Sequence, residues 1–217
     1  MLKFAREGYP FILVFAVITI LTLSFVEPLL MSVIPFSLTL FMCYFFRDPE
    51  RVTTDGKDFL YAPADGKIIL IRETTEDEVL NGKALEVSIF MSVFNVHVNR
   101  APCAGVVKRV EHYPGRFMAA FREEASKANE HVTMMLESDH DKIVVRQVAG
   151  LLARRIVCRA KPGDMLTQGQ RFGLIKFSSM VDIFMPLNTQ IKVKEGDSVR
   201  AGESILGIIG KETTKDN

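Results

Sequence analysis

Two stretches in the C-terminal third carry one pattern, and that pattern leaves few folds open. PGDMLTQGQRFGLI (162–175) and EGDSVRAGESILGII (195–209) share G-D-x-x-x-x-G, with Gly163 and Gly196, Asp164 and Asp197, and Gly169 and Gly202 each 33 residues apart. Glycine supplies the positive φ a tight turn needs, and aspartate hydrogen-bonds back to the backbone of such a turn. Each copy predicts strand, turn, strand; two copies predict a compact β-barrel or sandwich made by quasi-twofold duplication. Barrel-sandwich carrier domains are built this way, but a lipoyl or biotinyl carrier also presents a lysine in an exposed hairpin. SSMVD lies between the copies and holds no lysine. Carrier chemistry is excluded while the architecture stands.

The stretch before the repeat is also strand-rich. DGKIILI (65–71), LEVSIFMSV (85–93), VVKRVEHY (106–113), VTMML (132–136) and KIVVRQVAG (142–150) are short, rich in β-branched residues and separated by turn residues. Arg116 to Asn129 carries Phe117, Ala120 and Phe121 near helical spacing and predicts a short helix. The expected fold is predominantly β (α+β). Lys and Arg number 27 against 26 acidic residues, Trp is absent, and no basic run interleaves with aromatics, so nucleic acid is not an expected partner. Cys43, Cys103 and Cys158 form no CxxC pair, which argues against a disulfide framework or zinc site and fits a reducing cytoplasm.

Mean hydropathy is +0.16, and the apolar excess sits at the N-terminus. Tyr9 to Val26 is almost wholly apolar, Glu27-Pro28 interrupts, and Leu29 to Phe46 is apolar again. Each arm has 18 residues, close to the roughly 20 that cross a bilayer as helix. A helical hairpin with Glu27-Pro28 at its turn is expected. Lys3 and Arg6 precede it and Arg47 and Arg51 follow, which puts both ends on the cytoplasmic side of a cell membrane. A re-entrant pair that dips in without crossing stays open, because Pro10, Pro28 and Pro35 disturb regular helix. The expected division is a membrane hairpin over 1–46 and a β-rich domain over 47–217.

Within KFSSMVDIFMP (176–186), Val181, Ile183 and Met185 alternate with Asp182 and Phe184, the period of a half-buried strand. Ser178 and Ser179 precede it, where a hydroxyl ordinarily caps or turns the chain. Among the histidines, His140 in SDHDK reads as solvated, His112 as a strand-end residue and His131, beside Asn129 and Glu130, as structural rather than functional even where it borders a site. No pair has the i, i+4 or H-x-H spacing of a metal site. His97 lies in FMSVFNVHVNRAP, where an apolar strand suddenly carries Asn95, His97, Asn99 and Arg100, as a pocket wall would; a structural histidine is the alternative. Asp65 in YAPADG fits an ordinary turn. A serine, a histidine and an aspartate occur in almost every chain and say little by themselves.

Together the motifs say more. APADG, SIFMSVFNVHVNRAP, YPGRF, ANEHV, RRIVCRAKPGD and QRFGLIKFSSMVDIFMP stand in an order and spacing that resembles the short phosphatidylserine decarboxylases of bacteria and archaea, over nearly the whole chain. That resemblance implies a self-cleaving, pyruvoyl-dependent lyase of phospholipid biosynthesis. The family stretch reads Phe-Gly-Ser-Arg-Val-Asp and is cut between Gly and Ser. Ser179 takes the place of the reactive serine, Ser178 that of the glycine and Met180 that of the arginine. The implied products are chains 1–178 and 179–217, held together as a heterodimer, with a pyruvoyl group on Ser179 that forms a Schiff base with phosphatidylserine. Asp65 and His97 match the residues that would activate Ser179, and His97 would also return a proton to the substrate. Longer family members have two histidines three residues apart; Arg100 stands where the second would fall. Arg154 and Arg155 could contact lipid phosphate, although exposed arginines are commonly just solvated.

Three other readings share parts of this pattern: an archaetidylserine decarboxylase, a processing-deficient member with Ser178 at the cleavage bond, and a non-enzymatic membrane-anchored barrel adaptor. An adaptor of that kind usually carries a long heptad-patterned helix, and none is present. The apolar arms generate a direct prediction. A chain starting at Arg47 is expected to move largely into the soluble fraction, and full-length protein that is wholly soluble without detergent would contradict it.

Overall fold

The computed structural model describes residues 3–25, 29–54, 56–118, 125–139, 141–150, 155–176 and 179–210. The chain divides into two compact units, 1–50 and 51–217. In the first, α1 (Tyr9–Phe25) and α2 (Val33–Phe45) pack side by side. Thr19 Oγ1 lies 3.1 Å from Thr39 Oγ1, and Phe11 stacks on Phe46 at 5.5 Å. The start of one helix therefore meets the end of the other, as in an antiparallel hairpin. Ala5 N–H donates to Phe46 O and Asp48 N–H to Lys3 O, closing its base. Both threonine hydroxyls also donate to carbonyls four residues back, so neither adds an unsatisfied polar group. Arg6–Phe25 is long and apolar enough to cross a membrane, whereas Leu29–Phe45 is apolar but shorter. The expected Glu27-Pro28 turn lies outside the described residues.

The second unit is mostly strand, as the sequence predicts. Its strands are β1 (Phe59–Tyr61), β2 (Gly66–Glu76), β3 (Gly82–Met91), β4 (Val98–Arg100), β5 (Gly105–Tyr113), β6 (His131–Glu137), β7 (Lys142–Ala149), β8 (Arg155–Cys158), β9 (Met165–Leu166), β10 (Arg171–Lys176), β11 (Ser179–Met185), β12 (Thr189–Ile191), β13 (Ser198–Val199) and β14 (Ile205–Ile209). A curled eight-stranded sheet, β13-β2-β3-β11-β7-β6-β5-β9, makes a half-barrel, flanked by two three-stranded sheets, β1-β14-β12 and β4-β10-β8. The helix predicted over Arg116–Asn129 is, among the described residues, the single turn α3 (Ala125–Ala128); Ala120 and Phe121 lie outside them.

The strand order reads the same from either end, and the reason is a duplication wider than the repeated turns. Gly202 N–H donates to Ala62 O as Gly169 N–H does to Ala101 O, and Gly196 N–H donates to Ile68 O as Gly163 N–H does to Val107 O. Both copies carry a β-bulge, between Ile68 and Leu70 and between Val107 and Arg109. Tyr61 N–H donates to Pro102 O and Arg100 N–H to Pro63 O, tying the copies together about a local twofold. One copy comprises β1–β3 and β11–β14. The other, β4–β10, is inserted whole between β3 and β11. The chain therefore crosses between copies twice, once through 92–97 and once through 177–178.

The repeat glycines behave as the sequence predicts. Gly163 and Gly196 have φ of 95° and 94°, Gly169 and Gly202 both 73°. Asp164 and Asp197 accept from Lys161 N–H and Lys194 N–H at 2.8 and 2.9 Å. The main core is the cluster that includes Ile68, Val87, Ile89, Met91, Val145, Val181, Ile183 and Met185. β11 corrects one expectation: it is not half-buried, because every residue in it is buried. It pairs with β3 and β7, and its second face, with Met180, Asp182 and Phe184, is covered as well.

The turns yield a graded test. A Cβ on Gly163 would meet open space, whereas one on Gly169 would stand 2.0 Å from Thr53 Oγ1. Gly163→Ala is expected to cost about 1 kcal/mol of backbone strain and Gly169→Ala roughly 2–4 kcal/mol, strain plus clash. Urea unfolding of both variants checks the order.

Candidate active site

Ser179 heads the central strand, with Met91 opposite it on β3 and Ala149 on β7. Its side chain belongs to the core face, in step with Val181 and Ile183, and is wholly buried. Its Oγ lies 3.4 Å from Met91 Sδ. Asn99 Nδ2 approaches the same sulfur at 3.9 Å, and Asn99 Oδ1 accepts from Gln147 Nε2 at 2.8 Å. Gln147 Oε1 is buried with no hydrogen-bond partner among the described residues. A serine, a thioether and two amides thus form an uncharged polar spot at one end of an apolar core. An acceptor left orphaned there is costly. It suits a site that receives a further polar group. Ser178 lies outside the described residues.

His97 ends the first crossing between copies. It is 1% exposed, its Nδ1 is 3.0 Å from Asn95 O, and its own carbonyl accepts from Ile175 N–H. Ile175 lies just before the second crossing, 177–178, which leads into Ser179. His97 is thus held against the end of β10, the last described strand before Ser179 and β11. Asp65 immediately precedes β2, at the end of the sheet where β3 finishes and β11 begins. Its carboxylate is engaged by Arg51, Nη1 to Oδ1 and Nη2 to Oδ2 at 2.7 Å each, and by Ala201 N–H at 2.8 Å. None of these partners is His97. Arg51, which the sequence reading treats as a basic flank of the membrane segment, is a buried partner of Asp65 instead.

Asn95, Arg100, His112 and His131 each have a partner in the fold. Asn95 Oδ1 accepts from Ser92 N–H and Oγ–H and closes a turn, and Arg100 Nη1 donates to Gly169 O. Exposed His112 pairs with Glu130 at 3.2 Å. Buried His131 sits between Asn129 O and Glu78, under the Tyr113 ring. Arg155 is exposed, while His140 and Arg154 lie outside the described residues. No cluster of three or more metal-binding side chains occurs among the described residues. Sequence reasoning missed Arg51, Gln147 and Met91. Neither charge pattern nor period distinguishes them from ordinary strand and linker residues.

The opposite face of the sheet holds the charge. Arg146 pairs with Glu76 at 2.9 Å and Glu78 at 2.8 Å and lies over the Phe184 ring. Burial works against the charge of Glu78, but hydrogen bonds from His131 and Thr133 and the charge of Arg146 outweigh it and lower its pKa to about 2. Asp182, fully buried, accepts from Ser126 Oγ at 2.5 Å. Burial above all, with Glu86 nearby, pushes its pKa up to about 6, against the hydroxyls of Ser126 and Ser88 and the charge of Arg146.

Fold and site define a class: a duplicated β half-barrel preceded by an apolar helical hairpin, with a buried serine where the inserted copy ends. Known proteins give the class its family. The family profile for phosphatidylserine decarboxylase matches residues 38–207. Relatives from Syntrophus aciditrophicus and Desulfotalea psychrophila are each 47% identical, over 204 and 206 residues, covering 94% of this chain and 96% of theirs. A relative from a Geobacter species is 46% identical over 214 residues, with the same coverage. All three are named phosphatidylserine decarboxylase proenzyme. The chain belongs to the phosphatidylserine decarboxylase family.

The raised Asp182 pKa has a signed consequence. Between its ordinary value of 3.8 and about 6, the folded protein holds a proton that the unfolded chain has released. Stability from this group is therefore present at low pH and lost as pH rises through 6, by about 3 kcal/mol for two pKa units. Asp182→Asn has no such loss. Relative to the parent, the variant is expected to gain roughly 2 kcal/mol between pH 4.5 and pH 7. Denaturant unfolding at the two pH values measures it, and a pH-independent difference would contradict it.

Proposed function

We propose that this chain is a membrane-associated phosphatidylserine decarboxylase that cuts itself between Ser178 and Ser179 and converts phosphatidylserine into phosphatidylethanolamine and carbon dioxide. The observation that carries the reading is Ser179: wholly buried at the head of the central strand, directly after the second crossing, in a chain that matches proteins named as proenzymes along almost its whole length. A buried serine far from water is a poor place for a merely solvating hydroxyl.

In the proposed processing, Ser179 Oγ attacks the Ser178 carbonyl and the peptide bond becomes an ester. Elimination across Cα–Cβ of residue 179 releases 1–178 with a free carboxylate, and hydrolysis of the resulting dehydroalanine loses ammonia and leaves a pyruvoyl group on 179–217. That group supplies an electron sink for the electrons left by departing carbon dioxide. A serine hydroxyl needs a positioned base and a carboxylate that keeps the base in place. His97, held against the end of β10, is assigned as the proton carrier for both cleavage and the return of a proton to substrate. Asp65 is assigned to the support of processing. The amide of Asn99 fits a carbonyl-rich group at residue 179, because its Nδ2 offers N–H near Met91, whereas Gln147 Oε1 is an acceptor and suits a donor such as the amine of the substrate headgroup.

The two product chains would stay together. β11 is laddered to β3 and β7, β12 to β14, β14 to β1, and β13 to β2, so releasing 179–217 would break four ladders to the larger chain. The apolar hairpin suits a substrate that never leaves the bilayer, and its basic flanks assign the β domain to the cytoplasmic side.

The choice of serine is the sharpest expectation. Ser179→Ala is expected to remain a 217-residue chain and to form no phosphatidylethanolamine from phosphatidylserine in membranes. Ser178→Gly is expected to cut at least as fast as the parent. Intact mass and lipid mass spectrometry read both, and an uncut Ser178→Gly protein would move the reactive serine to 178.

A further inference from the structure

Residues 51–54 and 56 lie between the hairpin and β1, yet they are seated far more tightly than a linker requires. Thr53 stands against both repeat turns: a Cβ on Gly169 would lie 2.0 Å from its Oγ1 and one on Gly202 3.4 Å from it. Thr54 Oγ1 is 2.7 Å from Tyr61 Oη, which also donates to Thr54 O. Gln168 Nε2 donates to Gly56 O and Phe59 O. The duplicated turns thus form a seat for this segment. What the seat delivers is Arg51. Its side chain is only 6% exposed, both terminal nitrogens donate to the Asp65 carboxylate, and Nη1 also donates to Ala201 O at 3.0 Å. Ala201 N–H returns a hydrogen bond to Asp65 Oδ1, so guanidinium, carboxylate and the backbone of one residue close a ring.

We propose that Arg51 is a positioning residue for self-processing, holding the Asp65 carboxylate in a single orientation at the end of the sheet where Ser179 begins β11. The inference rests on the assignment of Asp65 to processing made above. An exposed arginine at a membrane flank has many rotamers and little effect on a distant carboxylate. A buried fork that meets both carboxylate oxygens leaves that carboxylate no freedom to turn, and lysine, a point charge with no fork, does not reproduce it. Self-cleavage has no substrate to organise the site, so the geometry must already stand in the folded precursor. The hairpin and the catalytic carboxylate are then linked along the chain: the first residue of the β unit, four positions after Arg47, is part of the processing machinery.

The test uses full-length chains carrying Arg51→Lys, Arg51→Ala, Asp65→Asn and Arg51→Ala with Asp65→Asn, alongside Ile143→Ala, a core variant that lowers stability away from the site. Intact mass over time gives the cutting rate and denaturant unfolding gives stability. Arg51→Ala is expected to cut about tenfold more slowly or worse, Arg51→Lys to be slowed although its charge is kept, and the double variant to be no slower than Asp65→Asn alone. Ile143→Ala is expected to cut at the parent rate. Arg51→Ala cutting at the parent rate, or slowed no more than Ile143→Ala, would overturn the inference. So would a double variant slower than Asp65→Asn by the full Arg51→Ala factor. If Asp65→Asn slows cutting and the Arg51 variants do not, Arg51 alone is removed. If Asp65→Asn cuts normally, the assignment of Asp65 fails and takes this inference with it. Should Arg51→Ala fail to fold, Arg51→Lys decides by the same comparison.

Discussion

The ladder between β7 and β11 is the joint on which the rest of the β unit depends. It is the one strand pairing in the eight-stranded sheet that connects the two copies, and each copy closes its own side of the half-barrel from there. A strand at such a joint is hydrogen-bonded on both edges and covered on both faces. A polar atom left unpaired there costs about 1–3 kcal/mol, and among the described residues Asp182 Oδ1 on β11 and Gln147 Oε1 on β7 are two such atoms. This explains why β11 is so heterogeneous. Its core face carries Val181, Ile183 and Met185, and its other face places Asp182 beside Ser126.

That constraint separates two kinds of polar chemistry. The face with Asp182 holds ions: Arg146 pairs with Glu76 and Glu78, and His131 meets Glu78, so removing one partner would leave a buried charge uncompensated. The contacts described for Ser179 on the core face lead to neutral groups, a thioether and two amides. A neutral, water-poor surrounding strengthens whatever hydrogen bonds a reacting carbonyl finds there. In the proposed reaction, that is where charge would develop and be dispersed.

Insertion of one copy into the other also gives a physical reason for the position of the proposed cut. A break inside a ladder would leave strand edges open, whereas the link 177–178 joins two strands that belong to different sheets. Each side of it is held by its own hydrogen bonds, β10 to β4 and β8, and β11 to β3 and β7. The chain can be cut there without asking any ladder to open.

Read alone, the sequence determined the strand content, the repeated turns and the apolar hairpin, because these follow from local rules: positive φ needs glycine, a period of two makes a strand, and a long apolar run makes a helix suited to lipid. The motif resemblance carried the family and singled out Ser179, His97 and Asp65. It did not show the true extent of the duplication, although Ala62-Pro63 and Ala101-Pro102, one pair in each copy, were a visible trace. Only the tertiary structure decided that Arg51 is an internal partner of Asp65, that β11 is buried on both faces, and that Gln147 and Met91 stand near Ser179. Those facts rest on pairings between residues 14 to 150 positions apart, such as Arg51 with Asp65 and Arg51 with Ala201. No local rule of charge or period reports which distant strand will lie alongside.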